Sequence, residues 1–266
     1  YNFTQKKATN MACKFLNISP IMYSFYPRVI PVLLLKQEGL YKGKNFKEHR
    51  YLGDPINALK IFNEKEVDEL VFFDIEASKS KTGPNLDMLN EIAGECFMPL
   101  AFGGGINSIE LIREILSLGV EKVILNSAAV HNKGLVSEAV RYFGSSTITC
   151  AIDYKTDFLG RKRVYTHSGT KKTNLEPLAW SRELQTMGVG ELIINSIDAE
   201  GTKKGYDFTY FKVFQQNLNI PLVISGGSQG KVDFDRCLKQ GINGMAGGAC
   251  FVFQGKHDAV LITYEK

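Results

Sequence analysis

Two glycine-rich segments are the first residues in this sequence that could do chemistry. One follows a short apolar run and has glycine at 103–105; the other, Ser225-Gly226-Gly227, follows a second such run, with its first glycine 123 residues later. Glycine lets a chain turn sharply and exposes backbone N–H groups that can bind an oxyanion. A single glycine-rich turn is more often ordinary turn chemistry. Because the pattern recurs, we predict two phosphate sites, with one site and one remnant of a duplication as the alternative.

Asp153 is the best candidate for a general acid or base. It ends an apolar run at 148–152 that is typical of a strand, so its carboxylate would lie at the rim of a rigid element. A helix-capping or loop-pinning aspartate is the alternative, and Lys42 and Asp74 have the same ambiguity. No Ser/His/Asp or Cys/His set is found at the strand ends, which argues against covalent hydrolase chemistry. The histidines have no ligand spacing, so we predict no metal and no cofactor; they are His49, His131, His167 and His257.

Composition limits the classes of protein that these residues can serve. The chain has 266 residues and a net charge of +4, which suits small anionic ligands and gives little support for nucleic acid. The five cysteines form no CxxC pair, and this favours a reducing cytoplasm. No apolar run reaches the roughly 18 residues of a membrane span, and residues 1–10 lack the layout of a secretory signal. Residues 1–21 have no clear periodicity, and we predict that they extend a single domain at 22–266.

Strands and helices alternate along the rest of the chain and must position these groups. Apolar runs typical of strands lie at 29–35, 69–74, 99–102, 122–125, 147–153, 191–195, 221–225 and 244–246. Amphipathic segments typical of helices lie at 55–66, 85–96, 108–118, 134–143, 176–187, 208–217 and 232–240. Eight strands in this rhythm predict a closed (β/α)8 barrel, with a doubly wound open sheet as the main rival. Similar short segments recur at spacings of 119 to 123 residues, and this repeat favours a barrel built from two half-barrels.

The carboxyl ends of barrel strands share one mouth, where active sites lie. Asn126-Ser127 follows the fourth strand and Gly247-Gly248 the eighth, so each pair would complete one of the glycine-rich anion sites. A ligand with a phosphate at each end would fit both. The basic excursion at 154–173 is expected to be a loop at this face. The predicted mouth residues are Asp74, Gly103, Gly104, Gly105, Asn126, Ser127, Asp153, Asn195, Ser196, Asp198, Ser225, Gly226, Gly227, Gly247 and Gly248.

Several longer motifs carry a family resemblance. They are Arg28-Val29-Ile30-Pro31, Lys42-Gly43, Gly53-Asp54-Pro55, the segment 68–75, Phe102-Gly103-Gly104-Gly105-Ile106, Asn126-Ser127-Ala128-Ala129-Val130, Ala151-Ile152-Asp153, Tyr165-Thr166-His167 and the segment 201–207. With these motifs the chain resembles the cyclase subunit of imidazole glycerol phosphate synthase from about residue 27 to 253. The resemblance implies a (β/α)8 barrel that accepts ammonia from a separate glutaminase subunit through its core. It also implies a bis-phosphorylated substrate at the opposite mouth.

The resemblance extends to individual residues. Four of them match the family's charged ring at the ammonia entrance: Arg28, Glu69, Lys122 and Glu191. Ordinary salt bridging at the bottom rim is the alternative, since two acids can pair with two bases. With the mouth residues considered as well, the predicted set for substrate and phosphate is Lys42, Asp74, Gly104, Gly105, Asn126, Ser127, Asn195, Glu200, Ser225, Gly226, Gly227, Gly247 and Gly248.

One departure from the family concerns the first strand. The family has an aspartate at the end of that strand, opposite the fifth-strand aspartate, whereas this sequence has Leu34, which cannot transfer protons. Glu200 differs in length from the family's acid in the sixth-strand loop, and the segment after 253 stands where the family has a full closing helix. These features resemble a paralogue branch whose members work with a glutaminase and an amidotransferase in making amidino-sugars for bacterial surface polysaccharides.

Two functions therefore stay open. In the first, the chain is a paralogue that docks a glutaminase and passes nitrogen onward, with a sugar amidotransferase as a further partner. In the second, it is the cyclase subunit of histidine biosynthesis, with Asp153 as its one strand-end carboxylate. Both predict a glutaminase partner and a phosphorylated substrate, and Leu34 favours the first. A phosphosugar isomerase of the same fold would leave the four charged residues without a purpose.

Overall fold

Parallel strands with helices between them form the body of the protein. The computed structural model describes residues 27–80, 83–255 and 257–264, so the predicted extension at 1–21 lies outside the described residues. The strands are β1 (Arg28–Lys36), β2 (Gly39–Lys44), β3 (Lys47–Gly53), β4 (Leu70–Asp74), β5 (Leu100–Gly103), β6 (Lys122–Leu125), β7 (Ile148–Thr156), β8 (Lys162–Thr166), β9 (Lys171–Lys172), β10 (Glu191–Ser196), β11 (Leu222–Ser225), β12 (Gly244–Gly247), β13 (Phe253–Gln254) and β14 (Ala259–Val260). The helices are α1 (Pro55–Glu64), α2 (Ala77–Ser80), α3 (Leu86–Glu95), α4 (Ile109–Ser117), α5 (Ser127–His131), α6 (Lys133–Phe143), α7 (Pro177–Thr186), α8 (Phe208–Asn217), α9 (Lys231–Lys239) and α10 (Ala249–Val252), with a 3-10 turn at Ser145–Thr147.

Strand pairing closes the barrel. Its eight strands run in the order β1, β4, β5, β6, β7, β10, β11, β12 and back to β1, and every neighbouring pair is parallel. The closing pair places Arg28 beside Gly244, and the next pair places Leu34 beside Phe73. Parallel strands need crossover connections, and here helices supply them on the outside. The predicted (β/α)8 barrel is confirmed, and an open doubly wound sheet is excluded.

The barrel interior has an apolar layer at mid-height. One side chain from each barrel strand contributes to it: Ile30, Val71, Ala101, Ile124, Ala151, Ile193, Val223 and Ala246. Because side chains alternate along a strand, Arg28, Val32 and Leu34 share the inward face of β1 with Ile30. By the same alternation, Thr149 and Asp153 share the inward face of β7 with Ala151. The interior therefore passes from a charged end, through an apolar layer, to a polar mouth.

Capping residues start the outer helices close to the predicted positions. Asp54 accepts a hydrogen bond from Asn57 N at the start of α1, where Pro55 occupies a position that tolerates proline. Ser108 accepts from Leu111 N in the same way at α4. The apolar faces of these helices pack on the outward faces of the strands. Such packing fixes the strand ends, and the site residues on them, in place.

The excursion at 154–173 is more ordered than predicted, so its description as a loop is wrong. Strand β7 continues to Thr156 and pairs antiparallel with β8, which in turn pairs with β9. Lys162 Nζ lies 2.8 Å from Asp207 Oδ2, and Tyr154 OH donates to the same oxygen at 3.2 Å. The Lys162 ammonium also lies 4.4 Å from the ring centroid of Tyr210. These contacts with the start of α8 order a segment whose composition alone is typical of loops.

Candidate functional site

A pocket opens at the carboxyl ends of the barrel strands, and we call it the mouth pocket. Strands β1 and β7 are four positions apart in a ring of eight, so Leu34 and Asp153 line it from opposite sides. The predicted residues that line it are Lys42, Asp74, Gly104, Gly105, Asn126, Ser127, Asp153, Asn195, Glu200 and Ser225. The other predicted residues lie at or just after the carboxyl ends of strands β5, β10, β11 and β12; they are Gly103, Ser196, Asp198, Gly226, Gly227, Gly247 and Gly248. The structure thus brings the predicted mouth set to one end of the barrel.

Two side-chain amides hold Asp153. Asn126 Nδ2 donates to one carboxylate oxygen at 2.9 Å, and Asn195 Nδ2 donates to the other at 2.7 Å. Burial raises the pKa of Asp153 to about 7; the hydrogen bond from Asn195 lowers it in part, and the charge of Glu200 raises it further. A carboxyl group that titrates near neutrality can both accept and donate a proton at working pH. This geometry fits the predicted acid/base role better than a capping role, and it gives the two asparagines a positioning role.

Leu34 makes the opposite side of the mouth pocket apolar. In the sheet register it lies between Tyr41 of β2 and Phe73 of β4, and Phe73 lines the same pocket. The carboxylates that line the pocket come from elements other than β1: Asp74, Asp153 and Glu200. A leucine neither donates nor accepts a proton. Asp153 therefore faces a hydrocarbon side chain across the mouth pocket.

Lys42 and Glu200 form a buried ion pair within the mouth pocket. Lys42 is only 3% exposed, which is unusual for a lysine. A Cβ atom at Gly248 would collide with the Lys42 ammonium, so glycine at this position makes room for it. Because each charge neutralises the other, neither is buried alone. An anionic ligand that binds the ammonium must therefore share it with Glu200.

The two glycine-rich turns have the backbone conformation predicted for anion sites. Backbone φ is positive at Gly104 (117°) and Gly105 (70°) after β5, and at Gly226 (89°) and Gly227 (100°) after β11. The turns differ in one respect, because Gly105 N donates to Ser78 Oγ at 3.1 Å. In the described part of the chain, no such bond is found for the N–H groups of the second turn. The second turn is therefore better prepared to bind an anion.

Two of the predicted binding residues have structural partners in the mouth. Asp74 Oδ1 accepts from Glu76 N at 3.0 Å and from Ala77 N at 2.9 Å, so the capping alternative describes this residue. Ser127 Oγ accepts from His167 N at 2.8 Å and thereby fixes the turn after β8 against α5. Both residues line the pocket, and contact of either with a ligand stays a prediction.

The β2–β3 hairpin supplies pocket residues that the sequence did not reveal. Phe46 and His49 line the mouth pocket from this hairpin. Its turn has positive φ at Asn45 (51°) and Phe46 (61°), a conformation that phenylalanine rarely adopts. The Asn45 side-chain amide stabilises the turn by donating to Asp198 O at 2.6 Å. Asparagine followed by glycine is the usual hairpin signal, and here only the asparagine is present.

At the opposite end of the barrel, Arg28, Glu69, Lys122 and Glu191 form one closed group that we call the charged ring. Arg28 pairs with both glutamates. Lys122 Nζ lies 3.0 Å from Glu69 and 3.2 Å from Glu191. Burial lowers the pKa of Arg28, but the charges of Glu191 and Glu69 outweigh this and raise it. Each base thus contacts both acids, and no charge of the four is buried without a partner.

Comparison with known proteins decides the family. The family model described as "Histidine biosynthesis protein" matches residues 28–258. The chain belongs to this family. Among its relatives, a Pseudomonas aeruginosa protein with the provisional name imidazole glycerol phosphate synthase subunit hisF2 is 45% identical over 238 residues, 89% of this chain and 95% of the relative. A Leptospira borgpetersenii protein with the provisional name imidazole glycerol phosphate synthase subunit HisF is 46% identical over 243 residues, 90% of this chain and 94% of the relative.

The histidine biosynthesis family also includes relatives that carry the HisF name without qualification. The imidazole glycerol phosphate synthase subunit HisF of Limosilactobacillus fermentum is 41% identical over 230 residues, 85% of this chain and 88% of the relative. The predicted resemblance to the cyclase-subunit family is therefore confirmed. The name hisF2 also supports a paralogue branch within it.

The mouth pocket of this family member offers groups that suit a phosphate-bearing anion. Within the described ranges, no group of three or more His, Cys, Asp or Glu side chains could hold a metal ion. A helix long and apolar enough to cross a membrane is not found in those ranges either. The mouth instead offers a buried ammonium, backbone N–H groups and amide side chains. These are the groups that recognise phosphate.

We expect inorganic phosphate to occupy the turn at Ser225, Gly226 and Gly227 in crystals soaked in millimolar phosphate. The turn after β5 should bind more weakly, because Ser78 already accepts from one of its N–H groups. The measurement is difference density at both turns, with sodium chloride at equal ionic strength as the control soak. Density at neither turn would contradict the prediction of two anion sites, and stronger density at the β5 turn would contradict their predicted order.

Proposed function

We propose that this chain is the barrel subunit of a glutamine amidotransferase in the cytoplasm. A glutaminase docks at the charged ring and releases ammonia, which passes along the barrel axis to a phosphorylated substrate in the mouth pocket. Within this class, the chain serves the amidation of a surface-polysaccharide sugar, with a sugar amidotransferase as a further partner. Leu34 opposite Asp153 is the observation that carries this choice, because it leaves the end of β1, across the pocket from Asp153, without an acid/base group.

The residues of the mouth pocket support separate roles in binding, proton transfer and positioning. The glycine-rich turns and Lys42 bind the phosphate groups and fix the substrate between β5 and β11. Asp153, with its pKa of about 7, accepts a proton as ammonia adds to the substrate and returns it in a later step. Asn126 and Asn195 keep both carboxylate oxygens in place during these transfers. The apolar side chain of Leu34 offers no acid/base group to the substrate from the opposite strand end.

The second candidate is the cyclase subunit of histidine biosynthesis. Asp153, Lys42 and both glycine-rich turns favour it, because they are the family's positions and lie together in the mouth. A complementation experiment separates the candidates. We expect the chain to fail to restore growth without histidine to a bacterium that lacks its own cyclase subunit, even when a matching glutaminase is expressed with it. Restored growth would establish the cyclase function and refute the paralogue function.

Pairing with a glutaminase follows from both candidates and has its own test. We expect a triad-type glutaminase to bind at the charged ring and to hydrolyse glutamine faster in the complex. Reversal of all four charges (Arg28→Glu, Glu69→Lys, Lys122→Glu and Glu191→Arg) should keep the pairs and reduce glutamine-driven transfer at least tenfold, because the partner meets the opposite pattern. Binding is measured by analytical ultracentrifugation. Unchanged coupled activity in the reversed variant would refute the role of the ring.

A further inference from the structure

Two buried side-chain oxygen atoms in the described part of the chain lack a hydrogen-bond partner: Thr149 Oγ1 and Asn195 Oδ1. Asn195 belongs to the mouth pocket already described. Thr149 does not line that pocket, and the residue is only 1% exposed. Buried polar atoms are nearly always paired in folded proteins, so an unpaired hydroxyl inside a barrel needs an explanation.

Thr149 lies on the path between the charged ring and the mouth pocket. It shares the inward face of β7 with Ala151 and Asp153, one step nearer the ring end. In the sheet register its neighbours are Glu191 of β10 and Ile124 of β6. Glu191 belongs to the charged ring, whereas Ile124 lines the mouth pocket. The hydroxyl is therefore placed between the two ends of the barrel.

Packing and strand propensity do not require a hydroxyl at this position. Valine has the same branched shape and an equal preference for strands, and it would leave no unpaired oxygen. The interior layer next to Thr149 is otherwise aliphatic, with Ile124 and Ala151 as its nearest members along the strand and across it. A threonine here costs stability unless a small molecule pairs with its hydroxyl at some stage of function.

The surroundings of Thr149 define which small molecule can form a hydrogen bond with its hydroxyl. A hydroxyl both donates and accepts, so it suits a small molecule with N–H groups and a lone pair. The charged ring has no net charge and attracts neither sign of ion strongly, and the aliphatic layer disfavours any ion. We propose that Thr149 is a binding position for one molecule of neutral ammonia between the charged ring and the mouth pocket. This rests on the proposed function, because a linked glutaminase would supply the ammonia.

The test uses the barrel subunit alone, with ammonium chloride as the probe and potassium chloride of equal ionic strength as its control. Thr149→Val removes the hydroxyl and keeps the shape. Thr166→Val is the matched control, because Thr166 is equally buried at 1% exposure but its hydroxyl lies 3.1 Å from His167 Nδ1. The first measurement is the Tm of each protein. The second is a crystal structure of the wild type and of both variants, at a resolution that defines bound solvent.

We expect ammonium chloride at about pH 9 to raise the Tm of the wild type by about 3 °C above the potassium control at tenfold excess over Kd. Thr166→Val should keep this shift and Thr149→Val should lose it. The shift should vanish at about pH 6, where almost no neutral ammonia is present. Density within hydrogen-bond distance of Thr149 Oγ1 should be present in the wild type and absent in Thr149→Val. Equal shifts in the wild type and Thr149→Val, or no such density in the wild type, would overturn the proposal.

These outcomes can be told apart from failure of the proposed function. A chain that binds a glutaminase but shows the same ammonium shift after Thr149→Val refutes the ammonia position alone. A chain that loses the shift in Thr149→Val but neither binds a glutaminase nor uses glutamine nitrogen refutes the proposed function and keeps the site.

Discussion

Leu34→Asp is expected to raise the rate of cyclisation of a phosphorylated ribulosyl-aminoimidazole carboxamide by roughly 10²-fold over the wild type. Strands β1 and β7 lie opposite each other in the barrel, and Leu34 and Asp153 line the same pocket. The new carboxylate would supply the second acid/base group that the apolar side chain cannot provide. Ammonium chloride serves as the nitrogen source in this assay, so that the rate does not depend on a glutaminase.

Leu34→Asn is the matched control for that result. Asparagine has the shape of aspartate and the polarity of an amide but transfers no proton, so its rate should stay near that of the wild type. Asp153→Asn in the Leu34→Asp background should abolish the gain. The rate of Leu34→Asp should rise with pH through about 7, as Asp153 ionises and becomes a base. A wild-type rate on the order of 1 s⁻¹ would mean that Leu34 does not limit cyclisation.

Glu69→Gln is expected to lower the free energy of unfolding by about 3–5 kcal/mol, because it leaves two bases of the charged ring with one acid. Glu69 is 3% exposed and contacts Arg28 and Lys122. Glutamine keeps the size of the side chain, so the loss reports charge and not packing. Urea unfolding followed by circular dichroism measures the change.

Glu76→Gln is the control for this substitution. Glu76 pairs with Lys36 at 3.3 Å on the surface, with side chains that are 40% and 32% exposed, so its loss should cost less than about 1 kcal/mol. A further arm replaces all four charges of the ring by apolar side chains of similar size: Arg28→Met, Glu69→Leu, Lys122→Met and Glu191→Leu. This variant should unfold near the wild-type midpoint, because no charge is then left without a partner. A loss below about 1 kcal/mol for Glu69→Gln would contradict a tightly coupled ring.

The barrel could be predicted because its strands and helices have strong local signals. The apolar run at 122–125 and the amphipathic segment at 208–217 match β6 and α8 at both ends. Capping residues such as Ser108 mark the starts of helices, because the side chain bonds to a backbone N–H only three residues later and the pattern can be read from the sequence. The (β/α)8 closure then followed from the number and rhythm of these elements.

The parts that escaped prediction depend on contacts between distant segments. The β2–β3 turn is held by Asn45 against Asp198, and the β7–β8 hairpin is held by Lys162 against Asp207. Neither pairing has a local signature. Sequence spacing placed Asn126 and Asn195 at the mouth, but it could not show that both amides point at Asp153. Strand ends were therefore predictable, whereas side-chain partners at those ends were not.

The charged ring also shows how the two predicted half-barrels differ in charge. Glu69 and Glu191 are 122 residues apart, the same spacing that relates Asn126 to Gly248, so the two acids occupy equivalent positions in the two halves. Their bases are not duplicated: Arg28 and Lys122 both belong to the first half, and the position 122 residues after Lys122 is Gly244. Two copies of the first half would crowd four cations around two acids, and two copies of the second would have acids alone. Charge neutrality at this end of the barrel therefore requires the two different halves together, which makes each half electrostatically dependent on the other.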